Sequence, residues 1–445
     1  MHCKLKMFKP NSTHLANVIS KKEFYSSFYI ATFILAACGK SENKNEQQIY
    51  KLIDASTLDG PFGPYDRSIH FIGDSDDDNI KGSFADDKIH LGYGKNGVEA
   101  LPGDDEIYLQ SWGNYLNAGP GFDSLFVQLT SPETIFVDLD NYSMSQGIQS
   151  LGLKNELRLF EKIDMSNSVA NVDFLSTTGL KILQLGAGDD LVSINLNLDY
   201  VDAGLGSDTI VLRSPYLQQD VKIDLDGGII SILNSENESV SISGFENVQS
   251  NGNIPVTLVG DANDNILAAG GGSDKLYGAA GNDILSGGAN SDTFIFTGES
   301  VIVGLDRILD FQSGTGGDVI KFDFGGKLTS TGSSFRNIDL SIETKKTLGT
   351  NSDILLITGT TFENELQVLE KLNGDDGLYE LRNQLNDTAQ ICLWENSEVS
   401  AVTISIIQDT MSDGDFADKI INVAELSGFN QSSFQELSLS NFDII

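Results

Sequence analysis

Between Gly73 and Phe126 the polar and apolar positions recur with a period of nine. An acid or its amide stands at Asp78, Asp87, Asn96, Asp105, Asn114 and Asp123. Two residues after each comes an apolar side chain: Ile80, Ile89, Val98, Ile107, Leu116 and Leu125. The phase returns at Asp190, Asp199 and Asp208, followed by Val192, Val201 and Ile210. It returns again at Asn265, Asp274, Asp283 and Asp292, followed by Leu267, Leu276, Leu285 and Phe294. All 13 units keep both positions. Self-similarity of this kind marks a repeat architecture, so length alone cannot count the domains.

Each unit divides into a turn and a short strand. The turns of Ala269–Tyr277 and Gly278–Ser286 are built on small residues. Glycine, or asparagine at Asn263 and Asn290, tolerates the positive φ that a tight turn demands. The strand points its one large apolar residue inward and its neighbours outward. A single unit cannot bury that side chain, but stacked units bury a continuous row, which predicts a solenoid. Two units make one coil, so turns two units apart stack and present carboxylates and backbone carbonyls to one another. Such a gap is oxygen-lined, negatively charged and free of nitrogen or sulfur ligands. It suits Ca²⁺ better than Zn²⁺ or Cu²⁺.

Gly270, Gly272, Asp274 and Leu276 fit the pattern Gly-Gly-x-Gly-x-Asp-x-apolar-x, as do Gly119, Gly121, Asp123 and Leu125. So do Gly186, Gly188, Asp190 and Val192, and Gly204, Gly206, Asp208 and Ile210. On these residues the chain resembles the repeats-in-toxin (RTX) family of calcium-binding β-rolls. The resemblance implies an all-β protein, a parallel β-roll or β-helix solenoid, with several Ca²⁺ ions held between turns two units apart. Carried over by residue, it pairs Asp190 with Asp208, Asp274 with Asp292, and Asp105 with Asp123. Asp87 with Asp105 and Asn265 with Asp283 follow less closely, because Ala85 and Asn265 depart from the pattern. The implied ligands also include Asp78, Gly103 and Gly281. Leu109–Asn117 has Trp112 where glycine belongs, and Ile194–Asp202 has no glycine. These two units are expected to keep the coil without binding an ion.

Between the arrays the period lapses but β character persists. Thr134–Asn141 and Val221–Asp226 alternate like strands. Phe160–Ile163 and Gly244–Val248 resemble the joining coils between RTX arrays. Residues 50–295 thus read as one solenoid with two irregular inserts. Asp306–Phe311 and Gly317–Ile320 resemble the segment that closes the RTX region of serralysin-type secreted proteins, which implies a β-sandwich cap. Thr360-x-x-Glu363 predicts a helix to about Leu372, stopped by Asn373-Gly374. Ile391–Glu395 and Val402–Ile407 read as strands, with Cys392 a buried small hydrophobe. The cap is therefore β-rich with one or two short helices. The ending Asn441–Ile445 resembles an uncleaved type I secretion signal and equally suits an ordinary last strand.

The N-terminus reads as an address. Five lysines up to Lys22 precede the short apolar stretch Phe24–Ala37, too short to span a bilayer as a helix. The ending Leu35-Ala-Ala-Cys38 resembles a bacterial lipoprotein signal, with Cys38 acylated and Lys40–Gln48 as a tether; a plain signal peptide is the alternative. The expected organisation is a signal over 1–37, a tether over 38–50 and arrays over 51–126, 185–211 and 260–295. Irregular β coils fill 127–184 and 212–259, and the cap takes 296–445, with its end as a candidate secretion signal. The expected location is extracellular or at the cell surface, with outer-membrane anchoring through lipid.

Composition narrows the function. Sixty-four acids against 28 bases give a net charge of -36, and removal of residues 1–37 makes it -40. Such a chain repels phosphate backbones, which excludes nucleic-acid binding, and cations are its natural partners. Three cysteines exclude a disulfide framework. No His-Glu-x-x-His and no Gly-x-Ser-x-Gly occur. Gly73-Asp-Ser75 with Asp87-x-x-His90 looks like a lipase pattern, but both pieces lie in the nonapeptide register; His70 and His90 are expected to face solvent. Asp409-x-x-x-Asp413-Gly414 hints at an EF-hand, yet Met411 and Ile420 take ligand positions, so an acidic hairpin is expected. The first functional expectation is a non-enzymatic calcium-binding surface or secreted protein that folds on Ca²⁺ outside the cell. The alternative is a polysaccharide lyase or epimerase using the insert coils, where Tyr142, Lys154, Arg158 and Lys162 fall without recognisable spacing. The residues name no glycan or protein ligand.

Overall fold

The computed structural model describes residues 51–54, 68–130, 133–147, 154–213, 219–233, 239–297, 304–323, 334–339, 346–348, 353–373, 379–381, 388–409 and 419–444. The expected leader, Cys38, the tether and the Asp413-Gly414 turn lie outside them. The chain divides after Ser124 into two compact units.

In the first unit the strands alternate between two parallel sheets. One holds Lys51–Asp54, Asp78–Lys81, Gly97–Glu99 and Tyr115–Asn117. The other holds His70–Ile72, Lys88–His90 and Glu106–Leu109. Asn79 pairs with Gly97 and Gly97 with Tyr115; His70 pairs with Lys88 and Lys88 with Glu106. One coil is therefore two nonapeptides. Side chains alternate across a strand, so a three-residue strand offers the core only its middle residue. Ile89, Val98, Ile107 and Leu116 are fully enclosed there.

The second unit repeats the scheme. Val172–Ser176, Leu191–Ile194, Thr209–Leu212, Asn247–Ser250, Ile266–Ala268, Ile284–Ser286 and Asp306–Ile308 form one parallel row. Lys162–Asp164, Ile182–Gln184 and Tyr200–Asp202 begin the facing row. Val256–Val259, Lys275–Tyr277, Thr293–Thr297 and Val319–Asp323 resume it. Val192, Val201, Ile210, Leu267, Leu276, Leu285 and Phe294 are fully buried.

The inserts are more regular than the expected coils. Each contains a three-stranded antiparallel meander spliced into a sheet. The first is Ile135–Asp138, Ser143–Gln146 and Lys154–Arg158. The second is Val221–Asp224, Ile229–Ile232 and Ser239–Ser243. Its last strand lies beside Tyr200–Asp202 and its first beside Val256–Val259. The reversal at Asp226-Gly227-Gly228 explains the departure: Gly228 adopts φ 61°, and the Asp224 carboxylate accepts the Gly227 N–H at 2.7 Å. The chain therefore turns back within the sheet instead of coiling on.

The C-terminal region prolongs both rows. Thr388–Asn396, Ala401–Asp409 and Lys419–Ser427 run antiparallel, the last beside Asp306–Ile308. Phe442–Ile444 forms a final strand beside Val319–Asp323. The facing sheets meet where Phe335 packs edge-on against Phe442 at 5.7 Å, and Phe311 packs on Phe429 at 5.8 Å just beyond the paired strands Asp306–Ile308 and Lys419–Ser427. Cys392 and Trp394 lie in an apolar cluster with Leu355, Phe362, Val368 and Leu372. The helix is Glu365–Asn373, starting later than Thr360-x-x-Glu363 predicts. Asn364 caps it by accepting the Gln367 N–H at 3.1 Å, while the Thr360 hydroxyl donates to the Thr361 carbonyl instead. Among the described residues, no helix is long and apolar enough to cross a membrane.

Because Leu285 is the single buried side chain of Ile284–Ser286, deleting it leaves a cavity that its own strand cannot fill. Leu285→Ala is expected to cost about 2–5 kcal/mol, read from urea unfolding in saturating calcium; a cost below about 1 kcal/mol would contradict this packing.

Candidate metal centre

The turns carry a ladder of carboxylates. Asp87 donates its N–H to Asp105 Oδ1 at 2.7 Å, and Asp105 donates to Asp123 Oδ1 at 2.8 Å. In the second unit Asp190 donates to Asp208 Oδ1 at 2.7 Å, Asp274 to Asp292 Oδ1 at 2.8 Å, and Asn265 to Asp283 Oδ1 at 2.8 Å. Every pair expected from the sequence is thus brought together, each 18 residues apart.

One carboxylate oxygen is used in this way. The other, Oδ2 of Asp105, Asp190, Asp208, Asp274, Asp283 and Asp292, is buried with no hydrogen-bond partner. A buried anionic oxygen without a partner is costly, so it marks a missing cation or proton. Burial pushes Asp105, Asp190 and Asp292 up to about 7 and Asp208 and Asp283 up to about 6, with neighbouring carboxylates adding to each.

The glycines hold space and admit carbonyls. A methyl group on Gly287 would sit 2.4 Å from Asp292 Oδ2, and one on Gly278 2.3 Å from Asp283 Oδ2. One on Gly121 would stand 1.8 Å from the Gly103 carbonyl oxygen, and one on Gly206 2.0 Å from that of Gly188. Stacked turns therefore approach through backbone oxygen. Among the described residues, no three His, Cys, Asp or Glu side chains converge on one point. The donor set is instead paired carboxylates plus main-chain carbonyls, which fits hard, flexible calcium coordination and not zinc.

Two predicted ligands, Asp87 and Asn265, have no spare side-chain oxygen. Asp87 accepts from the Ile69 N–H, the Ser83 N–H and the Ser83 hydroxyl, at 2.8, 2.7 and 2.8 Å. The Asn265 oxygen accepts the Asp261 N–H at 2.8 Å, and its amide donates to the Glu246 carbonyl. Asp78 donates its N–H to Asn96 Oδ1, and Asn96 to Asn114 Oδ1, so this edge is a ladder of amides. There Ser111, beside Trp112, donates its hydroxyl to the Gly94 carbonyl at 2.9 Å. In the glycine-free unit the Asp199 carboxylate is mostly exposed and 3.8 Å from Lys181, whose ammonium donates to the Asn197 carbonyl at 2.7 Å.

Three acids outside the period join the ladders. Asp283 donates to Asp306 Oδ1 at 3.1 Å, Asp292 to Asp318 Oδ1 at 2.9 Å, and Asp208 to Glu246 Oε2 at 2.8 Å. Burial and the Asp283 charge push Asp306 up to about 8. Each keeps the acid-x-apolar signature, with Ile308, Ile320 and Val248, and that was the available signal. A parallel exposed ladder also runs one residue earlier, where Asp86 accepts the Asp104 N–H and Asp104 the Phe122 N–H.

His70 and His90 take the outward positions of their strands, beside the inward Phe71 and Ile89. His70 and His90 are half-buried, and His90 stacks on Tyr108 at 4.0 Å. They stand in adjacent strands of one sheet, so their rings shield each other from water. Asp87 spends its carboxylate on Ile69 and Ser83, so the lipase-like pattern forms no triad.

The model of the RTX calcium-binding nonapeptide repeat matches residues 72–107 and 259–294, in four copies. No curated protein matches the chain significantly. The crystal structure of the extracellular lipase LipA from Serratia marcescens aligns at 15% identity, over 86% of this chain and 40% of that one. Its TM-score of 0.13 is too low to carry an argument. The repeats, the two-row parallel coil and the paired carboxylates agree: residues 72–107 and 259–294 carry calcium-binding nonapeptide repeats of the RTX type.

Proposed function

We propose that the chain is a non-enzymatic surface or secreted protein whose solenoid is completed by several calcium ions outside the cell. The observation that carries this reading is the row of buried carboxylate oxygens with no partner between stacked glycine turns. At cytosolic calcium the turns keep their electrostatic cost, and at extracellular calcium each bound ion removes it. An ion that binds only the folded state stabilises it by about 2.7 kcal/mol at a hundredfold excess over its Kd. The ligands proposed are Asp105 with Asp123, Asp190 with Asp208, and Asp274 with Asp292, each with turn carbonyls. The amide ladder of Asn96 and Asn114 and the Lys181-braced turn hold their coils without metal. In the same reading residues 1–37 direct export and Cys38 carries a lipid anchor.

A second reading, a polysaccharide-acting enzyme, is favoured by one observation. Arg158 lies over the Tyr142 ring at 4.8 Å in the first meander, so two of the residue types such chemistry uses do meet. Arg158 is, however, also paired with Glu156 at 2.6 Å.

Far-UV circular dichroism of residues 41–445 after EDTA is expected to gain β signal cooperatively with CaCl₂ and not with MgCl₂. A full β signal in EDTA that calcium leaves unchanged would overturn the switch.

Protons should compete with calcium. The unfolded aspartates titrate near 3.8, the folded ones at about 6 to 7. Between these values the folded chain binds more protons, so metal-free stability falls as pH rises. In EDTA the unfolding temperature is therefore expected to drop from about pH 5 to about pH 8, and saturating calcium should abolish the drop. A flat profile in EDTA would show that these carboxylates are not desolvated.

A further inference from the structure

The second insert leaves its row after Leu212, and the chain rejoins that row at Asn247. Thr209 pairs with Asn247 and Ile210 with Val248, so Asp208 and Glu246 occupy neighbouring positions on the sheet edge, 38 residues apart in sequence. Both lie outside the stretches that match the repeat model.

The contact copies the regular ladder. Asp208 accepts the Asp190 N–H through Oδ1 at 2.7 Å and donates its own N–H to Glu246 Oε2 at 2.8 Å. Asp208 is fully buried, and its Oδ2 has no hydrogen-bond partner. Gly244 closes on the preceding turn: a methyl group there would sit 2.8 Å from the Gly204 nitrogen and 2.9 Å from its carbonyl oxygen. Two acids thus share one edge, with a stacked turn beside them. Among the described residues, no ion pair includes either acid.

We propose that Asp208 and Glu246 hold a calcium ion that splices the array across the second insert. The proposal rests on the calcium reading above and adds a glutamate, off the nine-residue period, as a ligand. An ion at this point ties the two ends of the excursion together. Ordering the strands Val221–Asp224, Ile229–Ile232 and Ser239–Ser243 then no longer carries the full entropy of closing that loop.

The test uses the full chain and Glu246→Gln. The amide oxygen still accepts the Asp208 N–H, so the ladder survives while the charge goes. Bound calcium is counted by equilibrium dialysis, and amide hydrogen exchange is followed across residues 219–243. E246Q is expected to bind one ion fewer than the wild type. In calcium, exchange in the meander should speed up about tenfold, with no change in EDTA. Asp105→Asn, in the other unit, is the control and should lose an ion without altering that exchange. If D105N loses an ion while E246Q binds as many as the wild type, the splice site is wrong and the calcium reading stands. If the wild type binds none, both fall. Should E246Q lose β signal in calcium, the count passes to Asp208→Asn, whose amide oxygen can still accept the Asp190 N–H. Asp208 also serves the Asp190 site, so two ions fewer support the proposal, and a loss of one or none overturns it.

Discussion

The structure depends on carboxylates being buried where nothing positive meets them. Asp105, Asp190, Asp208, Asp274, Asp283 and Asp292 each give one oxygen to a backbone N–H in the adjacent coil and leave the other enclosed. Two roles are therefore joined in one side chain: it sets the spacing between coils and it demands a counter-charge. Among the described residues, no lysine or arginine pairs with any of these six carboxylates. The fold is geometrically complete but electrostatically open, which is the condition under which a divalent ion acts as part of the core.

The exceptions support the same logic. Where no spare carboxylate oxygen is present, the turn is satisfied internally. Ser83 saturates Asp87, Ser111 caps the Gly94 carbonyl beside the amide ladder, and the Lys181 ammonium takes the Asn197 carbonyl. A hydroxyl or ammonium in the gap provides the hydrogen bonds or charge that an ion would provide elsewhere. The coils can therefore continue through units that hold no metal, because the apolar row inside is unbroken.

The inserts show how a repeat tolerates interruption. A meander enters a sheet edge-on, satisfies its own backbone hydrogen bonds, and returns the chain to its row. What must be restored is the acid-x-apolar register, and Glu246-x-Val248 does so after the second meander. Asp306-x-Ile308 and Asp318-x-Ile320 do so beyond the last array. The C-terminal region then extends both rows by pairing Lys419–Ser427 and Phe442–Ile444 onto them.

The sequence by itself determined the coil, the inward residue and the turn carboxylates. A strict phase of nine allows one stacking register, and with a single large apolar residue per unit only one face can be buried. The pairing of Asp105 with Asp123, Asp190 with Asp208 and Asp274 with Asp292 was legible for the same reason. Tertiary structure alone decided which of these acids keep a free oxygen, because that depends on neighbours such as Ser83 that carry no periodic signal. It also decided that Glu246, Asp306 and Asp318 belong to the ladders, since loops of unequal length separate them from their partners. It placed His70 and His90 half-buried against Tyr108, because outward positions on adjacent strands crowd one another. Periodicity encodes what repeats, and contacts across irregular loops are fixed only when the chain closes.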